Sequence, residues 1–334
     1  MMPGSKRGSR GLMLIELMIA MLIGLFLIGG AIAVFIASKR SYTETEAFSR
    51  MGESGRFALQ LLITDLRRAG FFGEVGAAGI ERSASLDAVA GGTDCTGRAA
   101  AYDIDNFVFV ARADGSGRAV GCVTDAVPGT DVLVVKSVRT QPLSDGVRDD
   151  PSDDDGSIDT PHAPSAQQVY VMANSVKGTL FDGADTAPSI TVGGEVPGGN
   201  AWEYEFQAYY VRAGAVPQLS RKLLRWNGAG MAVATEDVVE GVESLRVMLG
   251  IDSNADGEAD SYVDSQAAGI DWSGVASMQL FLLVRSVERD PQYTDQRTYT
   301  LGNGSVTPGG NFHRTVMRDD VSLRNSKLLM RGGR

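Results

Sequence analysis

The sequence predicts an α+β protein in which one long N-terminal helix is followed by a large, mainly antiparallel β head. Three observations lead to this prediction. An apolar run extends from Leu12 to Ala37, a helical pattern without proline then continues to about Ala69, and the rest of the chain shows the two-residue alternation of strands. Helical and β segments are therefore separated along the chain, as in α+β proteins.

The apolar run Leu12–Ala37 is long enough to span a bilayer core of about 30 Å. Lys6, Arg7 and Arg10 precede it, and such positive charges favour a cytoplasmic N-terminus. Glu16 is the only charged residue in the run. A carboxylate in a membrane segment costs about 2.5 to 3.5 kcal/mol on insertion scales, so we expect Glu16 to have a positive partner, most simply on another subunit.

Beyond Ala37 the helical pattern becomes amphipathic. A continuous helix from Leu12 to Ala69 would be about 87 Å long at 1.5 Å per residue, and so cannot be buried inside one domain. We therefore expect residues 12–37 to lie in lipid or against other helices and residues 38–70 to pack on a head formed by residues 71–334. The apolar residues at helical spacing in the second half are Phe48, Met51, Phe57, Leu59, Leu62, Ile63 and Leu66.

The head is predicted to contain many strands separated by loops rich in glycine, proline and aspartate. Alternating aromatic and small apolar residues in one long strand predict the buried face of an antiparallel sheet, formed by Trp202, Tyr204, Phe206, Ala208 and Tyr210. The longest predicted loops are Ser144–Ser165 and Ala184–Asn200. The predicted strands are Phe107–Ala111, Asp131–Val138, Gln168–Met172, Trp202–Arg212, Leu219–Trp226, Glu243–Ile251, Met278–Val287 and Phe312–Met317.

Composition argues against two classes of function. The formal net charge of the 334 residues is -10, and it becomes more negative without the three basic residues that precede Leu12, so nucleic acid is not an expected partner. Phosphate-binding and nucleophile-elbow motifs are absent from the sequence, and His162 and His313 are its only histidines. We therefore assign no catalytic residues and expect no enzymatic activity.

The segment Gly11-Leu12-Met13-Leu14-Ile15-Glu16, after its basic leader, resembles the class III signal of type IV prepilins and type II secretion pseudopilins. The resemblance implies that residues 1–11 are a leader peptide, cut between Gly11 and Leu12, and that Leu12 is then N-methylated. Leu12 and Met13 replace the Phe-Thr of many relatives. The alternative is an uncleaved signal anchor, since a secretory signal peptide has an apolar region of only about 7 to 15 residues.

Further segments resemble PilW-type minor pilins. They are Asp65–Gly73, Val239–Leu245 with Leu249–Asp252, and Leu282–Ser286. The resemblance implies a pilin-like fold and a minor pilin of the complex that primes type IV pilus assembly and lies at the pilus tip. Such a protein would be needed for pilus biogenesis and hence for twitching motility.

This resemblance also implies partners and location. The partners would be other minor pilins, the major pilin, prepilin peptidase, the inner membrane and a tip adhesin. The protein would cross the inner membrane once with a periplasmic head, and would reach the pilus tip at the cell surface after assembly. The methylated amine of Leu12 would then be the cationic partner of Glu16. A type II secretion minor pseudopilin, a membrane-anchored calcium-dependent adhesin and an anchored periplasmic enzyme remain as alternatives.

The chain has two cysteines, Cys95 and Cys122. A head outside the inner membrane would lie where disulfides form, and closing a loop of this length would stabilise the fold by about 3 kcal/mol on the chain-entropy model. We therefore expect a disulfide between them, with two buried free thiols as the alternative.

The segment from Asp252 to Asp260 has the spacing of a calcium loop of EF-hand type, with glycine at position 6. Position 12 is Val263 instead of glutamate, and Asp264 is a candidate substitute. The alternative is a solvated turn, because Asp, Asn and Gly favour turns without any metal. The predicted ligands are Asp252, Asn254, Asp256, Glu258 through its carbonyl, and Asp260. A second acidic run, Asp149–Asp159, has poorer spacing and is interpreted as a solvated loop.

Overall fold

A computed structural model of the chain describes residues 13–143 and 163–325. The chain divides into two compact units, one ending at Arg50 and one beginning at Met51. The first unit is helical, and the second contains the end of the same helix and all the described strands.

The helix α1 spans Leu14–Arg68. Glu16 lies in its first turn and Arg67 and Arg68 in its last, which places negative and positive side chains where the helix dipole favours them. Gly70 follows with φ +73°, the left-handed conformation that ends many helices. The predicted long helix is confirmed, although Leu12 lies outside the described residues.

The described residues after α1 form fourteen strands. They are β1 (Ile80–Arg82), β2 (Val108–Arg112), β3 (Asp131–Val138), β4 (Val169–Ala173), β5 (Gly178–Asp182), β6 (Asn200–Arg212), β7 (Gln218–Trp226), β8 (Met231–Glu240), β9 (Val242–Ile251), β10 (Ser261–Asp264), β11 (Val275–Arg285), β12 (Tyr299–Leu301), β13 (Gly304–Val306) and β14 (Arg314–Ser322).

The largest sheet contains eight strands. Its order is β1-β5-β4-β6-β3-β2, with β7 also paired to β6 and β8 paired to β7. Every pair is antiparallel except β1 with β5. The long strand β6 organises the sheet, because it pairs with β4 near its start, with β3 along its middle and with β7 at its end.

A second sheet of four antiparallel strands has the order β10-β9-β11-β14. The hairpin β12–β13 contributes Tyr299 and Leu301 to a small core with Met248, Phe281 and Leu283 of this sheet. The mainly antiparallel β head predicted from the sequence is thus confirmed.

The second half of α1 shares one core with both sheets. Ala58, Leu62 and Leu66 are fully buried there, together with apolar residues of β2, β3, β6, β9 and β11. Gly55 allows a close approach, since a Cβ atom added to it would stand 2.1 Å from Met317 Sδ on β14. A larger residue at Gly55 would therefore require the Met317 side chain to move, and Val284 leaves little further room.

The two faces of β6 belong to different cores. The predicted buried face, Trp202, Tyr204, Phe206, Ala208 and Tyr210, is confirmed and lies in a core on one side of the large sheet. Tyr209 and Val211, on the opposite face, are also fully buried because they lie in the core that contains α1. The sequence predicted only the first of these two buried faces.

The eight predicted strands are all present, with ends shifted by up to five residues. Six strands were not predicted, and three of these, β1, β12 and β13, are only three residues long. The longest of the six, β8, has a second half that is mostly exposed or half-buried and carries Glu236, Asp237 and Glu240. The loop predicted from Ala184 contains no helix or strand before Asn200, whereas most of the loop predicted from Ser144 lies outside the described residues.

Cys95 and Cys122 form the predicted disulfide. Cys95 is buried in the same core as Phe72 and Trp202, and the bridge closes a segment that includes β2. The loop between the cysteines is also bound to the large sheet by Tyr204 of β6, whose hydroxyl donates to the carbonyl of Ala101.

Lys136 of β3 binds the same loop from inside the protein. Its side chain is fully buried, and Nζ donates to the carbonyls of Arg98 at 2.9 Å and Asp103 at 2.5 Å. Burial lowers the pKa of Lys136 to about 8, although nearby carboxylates such as that of Asp103 oppose the change. The folded protein therefore loses this proton at a lower pH than the unfolded chain does.

We predict that Lys136 makes the free energy of unfolding rise with pH between about 8 and 10. In this window the unfolded chain still binds the proton that the folded protein has released, which adds about 2 kcal/mol from pH 8 to pH 10. Chemical denaturation of wild type and Lys136→Met across this range measures the difference between them. A constant difference would contradict the assigned pKa, and Lys177→Met, which alters an exposed lysine, is the control.

Candidate functional site

Glu16 lies at the exposed N-terminal end of α1. Its Oε2 accepts a hydrogen bond from the backbone N–H of Met13 at 3.1 Å, so the carboxylate turns back towards the start of the helix. Gly11 and Leu12 lie outside the described residues, and the predicted cleavage and methylation stay predictions. A positive amine at Leu12 would be only one residue from the amide that Glu16 already binds.

The helix around Glu16 has an apolar surface on all sides. Large side chains from Met13 to Ile36 are exposed, and the helix contains a stretch that is long and apolar enough to cross a membrane. A contiguous apolar surface of this kind indicates contact with lipid or with other protein helices.

Asp65 connects the last turns of α1 to the large sheet. Its buried carboxylate accepts from the hydroxyl of Tyr209 and, at 2.5 Å, from Arg68 Nη2. Arg68 Nη1 also lies 2.9 Å from Glu205 Oε2 on β6. Burial, with the neighbouring Asp65 carboxylate, raises the pKa of Tyr209 well above its ordinary value, which keeps its hydroxyl a donor.

The residues after Asp65 form a tight joint. Gly70 has φ +73° beside the ring of Phe107, and Gly73 has φ +86° against Trp202, with no room for a Cβ atom at either position. Phe72 lies between these two glycines in sequence. Its side chain is fully buried and stacks on Tyr204 with ring centroids 6.5 Å apart. These contacts explain the small and aromatic residues of the Asp65–Gly73 segment that resembles PilW-type pilins.

Asn325, near the end of the described chain, completes the joint. Its Nδ2 donates to the carbonyl of Ala69 at 2.9 Å, just beyond the end of α1. The last described residues are therefore hydrogen-bonded to the exit of the N-terminal helix.

A buried carboxylate that the sequence analysis missed joins the two sheets. Asp131, at the start of β3, is fully buried and accepts from Arg112 Nε at 2.8 Å and from the N–H of Val247 on β9 at 2.8 Å. Arg246 Nη1 lies 3.3 Å away, and Arg112 Nη2 also binds both oxygens of Asp264. Burial raises the pKa of Asp131, and its hydrogen bonds and the arginine charges limit the rise.

The predicted calcium loop connects β9 to β10 and is organised by its own side chains. Asp252 is buried, and its Oδ2 accepts from the N–H of Gly257 at 2.7 Å. Asp260 Oδ2 accepts from the N–H and the hydroxyl of Ser253 at 2.8 and 2.6 Å. Asn254 Nδ2 lies 3.1 Å from Asp256 Oδ2, so the predicted ligands are within reach of one another.

Other features of this loop do not match a calcium site. Val263, at the position of the expected glutamate, lies in β10 opposite Leu249, and Asp264, the candidate substitute, is bound by Arg112. Among residues 13–143 and 163–325, no three His, Cys, Asp or Glu side chains are grouped so that they could hold a metal ion. Hydrogen bonds from backbone N–H groups to side-chain oxygens two residues earlier form Asx-type turns in this loop, and calcium binding stays a prediction. The second acidic run, Asp149–Asp159, lies outside the described residues.

We predict that Asp256→Ala lowers the thermal midpoint in calcium buffer and leaves it unchanged in chelator. Calcium at one hundred times its Kd would stabilise the folded wild type by about 2.7 kcal/mol. Differential scanning calorimetry in both buffers measures this effect. Asp105→Ala, at an exposed carboxylate outside the loop, is the control. Equal melting of the wild type in calcium and in chelator would show that the loop is only a turn.

Of the two histidines, His313 is described and His162 is not. His313 is buried, its Nε2 lies 3.2 Å from Asp290 Oδ2, and its ring stacks on Tyr293 with centroids 4.1 Å apart. The imidazole is therefore held by a polar contact with Asp290 and by stacking on Tyr293.

The long apolar helix and the large, mainly antiparallel β region define the chain as an α+β protein of pilin-like architecture. Within it, residues 208–325 match the family model of Type IV Pilus-assembly protein W, PilW. No curated protein and no solved structure matches the chain. The match supports a protein related to type IV pilus assembly.

The PilW match begins within β6 and ends at Asn325, after β14. It includes Val239–Asp252 and Leu282–Ser286, two of the regions whose sequences resemble PilW-type pilins, whereas Asp65–Gly73 lies before it. The matched region contributes Tyr209 and Asn325 to the contacts with the last turns of α1, so it includes part of the joint that holds the helix.

Proposed function

We propose that this protein is a minor pilin, a structural subunit of the complex that primes type IV pilus assembly and lies at the pilus tip. The match of residues 208–325 to PilW is the observation that carries the proposal. The exposed apolar helix supports it, because such a helix can first lie in the inner membrane and later pack against the helices of other pilins.

The size of the head favours a tip subunit over a shaft subunit. Two sheets and the hairpin β12–β13 follow the helix, and a subunit that need not repeat along the fibre can carry this bulk. Its partners would be other minor pilins, the major pilin, prepilin peptidase and, at the tip, an adhesin. The disulfide agrees with a head that folds outside the cytoplasm.

Glu16 supplies the polar contact in this assembly. Its carboxylate accepts from the N–H of Met13, the residue that follows Leu12 in sequence, and cleavage after Gly11 would leave a methylated amine on Leu12. In an apolar medium the attraction between these two charges is much stronger than in water. The amine of Leu12 would pair with Glu16 of an adjacent subunit, or with that of its own chain.

We predict that deleting the gene removes surface pili and twitching motility while type II secretion continues. A missing priming subunit prevents fibre initiation, whereas the secretion machinery has its own pseudopilins. Electron microscopy of pili and an assay of a secreted enzyme measure the two outcomes. Normal pili with lost secretion would favour the pseudopilin alternative, and normal pili with reduced adhesion in calcium would favour the adhesin alternative.

We predict that Glu16→Ala greatly reduces the number of pili without changing the folding of the head. The substitution removes the carboxylate but none of the core contacts, which begin at Met51. Pilus counts, together with mass spectrometry of Leu12 in the purified protein, separate assembly from processing. Glu53→Ala, at an exposed position of α1, is the control. Normal piliation in Glu16→Ala, or an intact leader in wild-type cells with active peptidase, would contradict the assigned roles.

A further inference from the structure

The strand β2 has one edge without a partner in the described part of the chain. It ends the order of the large sheet, where it pairs only with β3. Lys136 N donates to Phe107 O at 2.8 Å and Ala113 N to Thr130 O at 2.9 Å, so the odd-numbered residues of this segment face β3. Because an antiparallel ladder alternates, the N–H and C=O groups of Val108, Val110 and Arg112 point away from β3.

A cavity of about 410 Å³ lies along this edge. One wall is formed by residues 109–111 of β2, and the other by residues of the segment that leads from β10 to β11. Phe109 and Trp272 meet with ring centroids 5.0 Å apart, and Ile270 adds to the apolar lining. The cavity therefore combines main-chain hydrogen-bonding groups with a site for an apolar side chain.

Arg98 gives the cavity its charge. It is exposed and is the only charged residue among the described residues that line the cavity. Within residues 13–143 and 163–325 it makes no ion pair, whereas Arg112 at the end of β2 is bound to Asp131 and Asp264. A carboxylate on the occupant would therefore find a cation at Arg98.

The outer strand β14 of the second sheet carries exposed charged side chains, unlike the edge of β2. Arg318, Asp319 and Asp320 are exposed along the middle of β14. Charged side chains of this kind discourage the addition of another strand to a sheet edge. The edge of β2 has no such exposed row, because Val108 and Val110 are buried and Arg112 is neutralised by its partners.

We propose that the β2 edge and its cavity bind an extended peptide segment of a neighbouring pilus subunit, carrying an acidic and an aliphatic side chain, as an added antiparallel or parallel strand. Strand addition uses main-chain hydrogen bonds for affinity and side-chain pockets for specificity. From Val108 to Arg112 the strand rises about 13 Å at about 3.3 Å per residue, which is the length of edge offered by the outward-facing groups of β2. That the segment belongs to a pilus subunit rests on the proposed function, whereas the chemistry of the site does not.

Binding of a synthetic peptide to the full chain in detergent micelles tests the proposal. The probe is a labelled seven-residue peptide of alternating threonine and valine with one central aspartate, and fluorescence anisotropy measures its Kd. Two further peptides carry N-methyl groups on alternate amides, one in each register. Because only one row of amides faces β2, we expect one register to weaken binding at least about tenfold and the other to leave it unchanged.

A charge exchange at Arg98 tests the second part of the site. Arg98→Glu should weaken binding of the aspartate peptide about tenfold, and a peptide with lysine in place of aspartate should restore it. Arg118→Glu, at another exposed arginine, is the control and should bind like the wild type.

Three results would overturn the proposal: absence of peptide binding, equal effects of the two methylated registers, or self-association of the chain through this edge that Arg98→Glu abolishes. The last would identify a second copy as the occupant. Pilus formation by the deletion strain is measured separately, so failure of this site and failure of the proposed function are distinguishable.

Discussion

The burial of the second half of α1 in the head is the contact on which the rest of the structure depends. Ala58, Leu62 and Leu66 are fully buried in a core built from both sheets, and without the helix this core would be open to water. Full burial of one large aliphatic side chain stabilises a fold by about 1.5 to 3 kcal/mol, so the helix and the sheets depend on each other. A single helix thus serves both as the membrane-compatible segment and as part of the head's interior.

Charged groups within this framework specify how the parts fit together. Asp65 and Arg68 join the helix to β6, and Asp131 joins β3 to β9. Buried ion pairs contribute little net stability compared with well-packed apolar residues, but removing one partner leaves an unpaired charge in the core. We interpret Asp131 as a determinant of how the two sheets are matched, because its carboxylate accepts from a backbone amide of the second sheet as well as from Arg112.

Local features of the fold could be predicted from the sequence, whereas contacts between distant segments could not. The helix and the buried face of β6 follow from periodicity within a few residues, and the disulfide follows from there being only two cysteines. The second buried face of β6 depends on α1, which is far away in sequence, and the pairing of Arg112 with Asp264 joins residues 152 positions apart. Nothing in the local sequence around Asp131 shows which arginines would surround it. That β2 has an unpaired edge among the described strands appears only once the strand order is known.

The joint at the end of α1 has a mechanical consequence. In the proposed pilus subunit, tension on the fibre would enter the head at Arg68, where α1 ends. Tyr209 on β6 and Asn325 near the end of the described residues both bind this region, and they would share that load. A force on the N-terminal helix would therefore reach two parts of the polypeptide that are far apart in sequence.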